Sequence, residues 1–141
     1  MVASIFDQFP VPSASQLLGW HVPAVDPKAG TIEVGFVADD RFLNPAGNVQ
    51  GGFLAAMLDD TIGPALFAMT EGVVYAPTID LNVSFIKPAL PGLFRGKGRV
   101  VSLGKTIVFL EGELFDQHES LVARATASSR AMSGDKAKNT H

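Results

Sequence analysis

The sequence predicts an α+β domain in which a single long helix lies on an antiparallel sheet. Apolar side chains recur at helical spacing over residues 51–69, residues 73–85 alternate apolar with polar, and three further strand-like runs follow with short connections. The chain has 141 residues, the size of one domain, and its 47% apolar and 18% charged content supplies a core without a second domain.

Each element follows in order. Residues 1–12 have no period and hold two prolines, which reads as an arm, and residues 13–18 as a short helical turn. Residues 20–25 and 31–38 read as a hairpin, joined through Asp26-Pro-Lys-Ala-Gly30, whose Pro and Gly make the turn. Residues 39–49 form a loop of Asp, Asn, Pro and Gly. In the helix, Leu54, Met57, Leu58, Thr61, Ile62, Ala65, Leu66 and Met69 make the buried stripe. Gly52, Ala55, Asp59 and Gly63 fall on one flank of it, whereas Asp60 falls on the far side and is assigned to the surface. Pro64 deletes an intrahelical hydrogen bond, which predicts weakening or a kink near the last turn. Over 73–85 the odd positions are apolar and Thr78, Asp80, Asn82 and Ser84 are even, the pattern of one long half-buried strand. After a Pro/Gly break at 87–92, runs at 94–103, 106–115 and 120–132 complete a meander of consecutive strands. Residues 133–141 read as a frayed polar tail.

Composition removes several classes of function. There is no cysteine, hence no disulfide, thiol nucleophile or thiolate metal site. His21, His118 and His141 show no metal-ligand spacing with carboxylates, so neither a metal nor a cofactor is expected. A net charge of −3 argues against nucleic acid as a partner. With no secretory n-region and no apolar run near the ~20 residues of a membrane span, a cytoplasmic location and no membrane partner are expected. The run 98–106 ends in Gly-Lys-Thr but places five residues between its glycines where a P-loop has four. Mean hydropathy of +0.25 is high, and either a subunit interface or an unusually complete core accounts for it.

The most informative stretch is Asn44-Pro-Ala-Gly-Asn-Val-Gln50-Gly51-Gly52, which runs into the helix that carries Asp59. Paired glycines opening a helix leave bare N–H groups at its positive end, an anion or oxyanion site. A carboxylate on the same flank can act as base or nucleophile, so the combination points to attack on a polarised carbonyl. Separately, Lys87, Arg95, Lys97, Arg99 and Lys105 lie in nineteen residues without Asp or Glu. That segment is either a solvated face or the seat of a phosphate-bearing ligand.

These residues resemble the hotdog-fold thioesterases of the PaaI type, whose pattern is Asn-x-x-Gly-x-x-His-Gly-Gly followed by Asp. Here the pattern reads Asn44, Gly47, Gln50, Gly51, Gly52 and Asp59, with Gln50 in place of the family's His. Two further matches are Thr78-Ile-Asp80-Leu-Asn82-Val-Ser-Phe85-Ile-Lys-Pro88-Ala89 and the turn Gly104-Lys105-Thr106, and together they cover residues 30 to 131. The resemblance implies hydrolysis of acyl-coenzyme A thioesters, with coenzyme A part of the substrate. It implies that the Gly51 N–H receives the thioester oxygen and that Asp59 activates water or forms a mixed anhydride. Asn44 and Thr78 then orient water or carbonyl, and Gln50 positions them, since Gln both donates and accepts but supplies no titrating proton. Gly52, Lys87, Arg95, Lys97, Arg99 and Lys105 are the implied coenzyme A contacts. A homodimer or homotetramer is implied, Asp59 of one subunit meeting the Gly51 loop of another. Two rivals stand beside this reading: a hotdog hydratase or dehydratase, which would want a His near the helix, and a non-catalytic acyl-CoA sensor. Whether the acyl group is aromatic, short or long stays open.

Overall fold

The helical stripe at residues 51–69 folds as expected, and the strands form a sheet beneath it. The computed structural model describes residues 4–133, so the first three residues of the arm and all but the first residue of the expected tail lie outside the described residues. A 3-10 turn at Ile5–Gln8 and α1 (Ser13–Leu17) lead into β1 (His21–Asp26) and β2 (Thr31–Ala38). Then come α2 (Gly51–Met69), β3 (Val74–Tyr75), β4 (Thr78–Phe85), β5 (Gly92–Leu103), β6 (Ile107–Asp116), β7 (Leu121–Arg130) and β8 (Met132–Ser133). Six strands make one sheet in the order β1-β2-β5-β6-β7-β4, every pairing antiparallel, and β3 pairs with β8 apart from it. The α+β reading is borne out.

Leu54, Met57, Leu58, Thr61, Ile62, Ala65 and Leu66 are buried on α2, and Met69 is half-buried at its end. They pack on Val34, Phe36, Val108, Leu110, Leu114 and Val122 of the sheet. The helix comes close because β5 and β6 carry glycine where it crosses. A Cβ at Gly98 would stand 2.8 Å from the Thr61 carbonyl oxygen and one at Gly112 2.9 Å from Ile62 Cγ1. Although α2 is long and apolar enough by composition to cross a bilayer, its apolar stripe is taken up by this packing.

Pro64 does not break the helix, which is continuous from Gly51 to Met69. Its missing N–H leaves the Asp60 carbonyl without its usual donor, and the Trp20 indole Nε1 supplies one at 2.9 Å.

Two expectations are corrected. The strand expected over 73–85 is split at Ala76-Pro77 into β3 and β4, because Pro77 has no N–H for a ladder, and its carbonyl accepts from the Arg130 N–H at 3.0 Å. The last strands are not a simple meander either: β5, β6 and β7 follow one another, but β4 lies at the sheet edge beside β7. The connection of residues 86–91 is tied down instead of turning back. Ile86 N–H donates to Val122 O and Val49 N–H donates to Ala89 O, each at 2.8 Å. On this edge strand Ile79 and Phe85 are 59% and 55% exposed, where a half-buried strand was expected.

Candidate active site

The loop before α2 is built by Asn44. Its side-chain oxygen accepts from the N–H groups of Ala46 at 3.0 Å and Asn48 at 3.1 Å, an Asx turn, and Gly47 takes φ 84°. The carboxamide oxygen that the resemblance offered to water or substrate is therefore occupied in shaping the loop. Gln50 precedes the helix in an extended conformation, its N–H donating to Phe42 O at 2.8 Å and its carbonyl accepting from the Phe53 N–H at 2.9 Å. Its side chain makes no capping bond and is exposed. The N–H groups of Gly51 and Gly52 find no acceptor among the described residues, so they stand bare at the positive end of α2. The Phe85 ring covers Gly51 so closely that a Cβ there would lie 3.0 Å from Cζ, whereas Gly52 faces open space.

Asp59 is exposed on α2, and Thr78 Oγ1 donates to its Oδ1 at 2.9 Å. A shift of register between Thr78 and Asp80 makes that contact possible. Thr78 pairs with Ser129, which is buried under the helix, so the bulge turns Thr78 to the helix side and leaves Asp80 and Asn82 on the other. Simple alternation had grouped all three together.

Gly51 and Asp59 do not meet within one protomer. They stand eight positions apart on a continuous helix, about 12 Å along its axis at 1.5 Å per residue. No one carbonyl can touch both.

Asp60 requires a further correction. It is half-buried, not a surface residue, and lines a cavity of about 730 Å³ with Asp59 and Thr78. Phe6, Phe9, Val11 and Trp20 of the N-terminal segment close that cavity against Ala56, Pro64 and Phe67 of α2. Burial pushes the Asp60 carboxyl up to about 6, the Ser15 hydroxyl opposing the shift and the Asp59 charge adding to it. The helical arithmetic set Asp60 on the side away from Asp59 and Gly63, yet all three line this one cavity. What it lacked was the arm, whose sequence has no period to announce that it folds across that side.

The basic segment is answered by carboxylates from neighbouring strands and turns. Lys97 meets Glu33 at 3.8 Å, Arg99 meets Glu111, Arg95 meets Glu119 at 3.0 Å and Lys87 meets Asp116 at 3.8 Å. Lys105, in the β5–β6 turn, has no ion pair among the described residues. Because Gly96 and Gly98 face α2, alternation puts Arg95, Lys97 and Arg99 on the opposite face of the sheet. Lys87 instead lies in the 86–91 connection that is bonded to the loop before α2. Among the described residues no three His, Asp or Glu side chains lie close enough together to hold a metal ion.

Comparison with known proteins identifies the fold and the family. A family model described as the thioesterase superfamily matches residues 46–123. The chain is similar to a phenylacetic acid degradation-related protein from Ralstonia eutropha JMP134, at 43% identity over 89% of this chain and 95% of that one, with a TM-score of 0.83. It shares its fold with the Escherichia coli PaaI protein of the phenylacetic acid degradation operon, at 20% identity, 86% and 85% coverage and a TM-score of 0.76. A Streptococcus mutans UA159 protein solved with acetyl-CoA has the same fold, at 21% identity, 81% and 89% coverage and a TM-score of 0.71. The glycine-opened helix laid on a six-stranded antiparallel sheet is thus the hotdog fold, and the chain belongs to the thioesterase superfamily.

Proposed function

We propose that the protein hydrolyses acyl-coenzyme A thioesters, each site being shared by two protomers. Family membership supports acyl-thioester hydrolysis as the reaction. The observation that carries the shared site is the separation of Gly51, with its bare N–H group, from the Thr78-bonded Asp59 by about 12 Å of helix axis. A second protomer related by a two-fold axis can bring its own Gly51 to this Asp59, and the exchange is mutual. The surface for such pairing is the β4 edge, where Ile79 and Phe85 stand exposed, and the flank at Gly52 and Gly63 leaves room for another backbone.

In this reading the thioester oxygen accepts from the Gly51 N–H of the second protomer. Preorganised donors of that kind contribute ~3–4 kcal/mol in the transition state. Asp59, oriented by Thr78, either takes a proton from water as it adds to the carbonyl carbon or adds itself to give an anhydride that water then opens. In both cases the carbon–sulfur bond breaks, and the coenzyme A thiolate leaves and is protonated. The apolar cavity beside Asp59 receives the acyl chain. Coenzyme A as the carrier is supported by the fold relative solved with acetyl-CoA, and Lys87, bonded through its loop to the helix start, is the basic residue best placed for a phosphate.

Complementation tests this reading. Gly51→Pro deletes the N–H at the first helical position, where the backbone accepts proline after the extended Gln50, and the exposed Phe85 ring has only to move aside for the added Cβ. Co-expressed with Asp59→Asn, half of the randomly paired dimers are mixed, and each mixed dimer holds one intact site, so about a quarter of wild-type activity returns. No recovery from two inactive parents would place each site within a single chain. Binding of acyl-CoA without thiol release by the wild type would instead make the protein a non-catalytic binder.

A further inference from the structure

We propose that Asp60 is a specificity-determining residue of the acyl cavity, its carboxyl meeting a hydroxyl carried by an otherwise apolar acyl group. The occupant rests on the thioesterase reading; the site rests on the cavity itself. Its walls are Phe6, Phe9, Val11, Leu18, Trp20 and Phe67, which suit carbon chains or rings. Of the polar groups at its surface, Asp59 and Thr78 are bonded to each other, the Asp60 carbonyl is taken by the Trp20 indole, and the Ser15 hydroxyl stands beside the Asp60 carboxyl without serving its Oδ2. The Asp60 Oδ2 is buried and has no hydrogen-bond partner among the described residues. An orphaned acceptor of this kind gains most from a ligand that supplies the missing bond.

The surroundings select the donor. A hydroxyl can donate to a carboxylate and can also accept from a carboxylic acid, so it satisfies Asp60 in either state. An ammonium group fits only the ionised state and would have to shed its water among aromatic walls. A plain hydrocarbon leaves Oδ2 as it is. The aromatic residues of the N-terminal segment that line the cavity make edge contacts, Phe6 on Trp20 at 5.4 Å and Phe9 on Phe67 at 5.5 Å, and the Trp20 indole bonds the Asp60 carbonyl.

Matched acyl-CoA pairs test the proposal: octanoyl-CoA with its ω-hydroxy form, and phenylpropanoyl-CoA with its para-hydroxy form. The wild type is expected to prefer the hydroxylated member of at least one pair by about tenfold in kcat/KM, the worth of one buried hydrogen bond. Asp60→Leu abolishes that preference and Asp60→Asn, which still bonds a hydroxyl, keeps part of it. A merely structural Asp60 would alter both members of a pair alike. Equal rates for both pairs in the wild type overturn the proposal, and this needs no variant to fold; so does a preference that survives Asp60→Leu. Non-hydrolysable thioether analogues of the same pairs, read as a ratio of Kd, separate the two claims. If no acyl-CoA releases thiol, the thioesterase reading fails, while the Kd ratio still decides the role of Asp60.

Discussion

Asp59 and Asp60 are successive residues of α2, and the flanks on which they stand differ in what covers them. On the Asp59 flank, Gly52 and Gly63 leave open space, and Thr78 supplies a single hydrogen bond. On the Asp60 flank, Phe6, Phe9 and Trp20 close over the helix, and one carboxyl oxygen is left without a donor. Both carboxylates line the same cavity, but a turn of 100° per residue leaves Asp59 exposed and half-buries Asp60. The difference teaches that the role of a helical carboxylate is set by which distant segment lies over its flank.

The largest effect expected is on the open flank. Asp59→Asn lowers kcat by at least ~100-fold, the lower end of what a positioned base contributes, with thermal stability nearly kept because the residue is exposed. Steady-state thiol release checks it, and an equal fall in kcat with Asp60→Asn would break the contrast between the flanks. Next in size is Thr78→Val, which removes the hydrogen bond that orients Asp59. A loss of about tenfold in kcat with a smaller change in KM is expected, and Thr78→Ser should restore most of it. Failure of serine to rescue would assign the threonine to packing.

The difference between the flanks also marks how far the sequence could be read. The span of α2 was legible because its stripe is local and its glycine opening has a physical reason. The family pattern named Asp59 and Thr78 separately, but the hydrogen bond between them and the bulge that permits it, a register shift that alternation cannot reveal, came only from the structure. The edge position of β4 was hidden because it is fixed by long-range pairing with β7, and the connection after it by bonds to Val122 and Val49. The burial of Asp60 was hidden for the same reason, since residues 5–18 carry aromatics without period and only the folded chain says where they land. The basic segment looked uncompensated because its carboxylates, Glu33, Glu111, Asp116 and Glu119, come from neighbouring strands and the β6–β7 turn.

The covered flank makes its own prediction in stability. Asp60 has its carboxyl pushed up to about 6, so the folded state holds a proton that the unfolded chain, ordinarily near 3.8, has released. Between those values the unfolded state binds fewer protons, and stability falls as pH rises; below 3.8 there is no penalty and above about 6 the loss is complete. Asp60→Asn does not titrate. It should therefore be more stable than the wild type at pH 8 by about 1–2 kcal/mol, a figure reduced for partial exposure, with the advantage gone at pH 4. Urea unfolding of both proteins at the two pH values checks the sign, and a variant that is less stable at pH 8 would mean that the carboxylate is satisfied there by a donor.

The smallest effect separates the two faces of the sheet. Lys97 and Arg99 lie on the face away from α2, bound to Glu33 and Glu111, whereas Lys87, itself beside Asp116, belongs to the connection bonded to the loop that opens α2. If Lys87 meets a coenzyme A phosphate, that contact is the same in ground and transition states, so its loss raises KM and spares kcat. An exposed charge pair is worth below ~1 kcal/mol, so Lys87→Ala should raise KM for acyl-CoA about threefold. Added salt should do the same to the wild type, since exposed charges are screened over ~10 Å at 0.1 M. Acyl-pantetheine, which lacks the nucleotide phosphates, should respond to neither. A rise on Lys97→Ala as large as that on Lys87→Ala would move the nucleotide to the outer face of the sheet, and equal salt effects on both substrates would reduce Lys87 to a solvated cation.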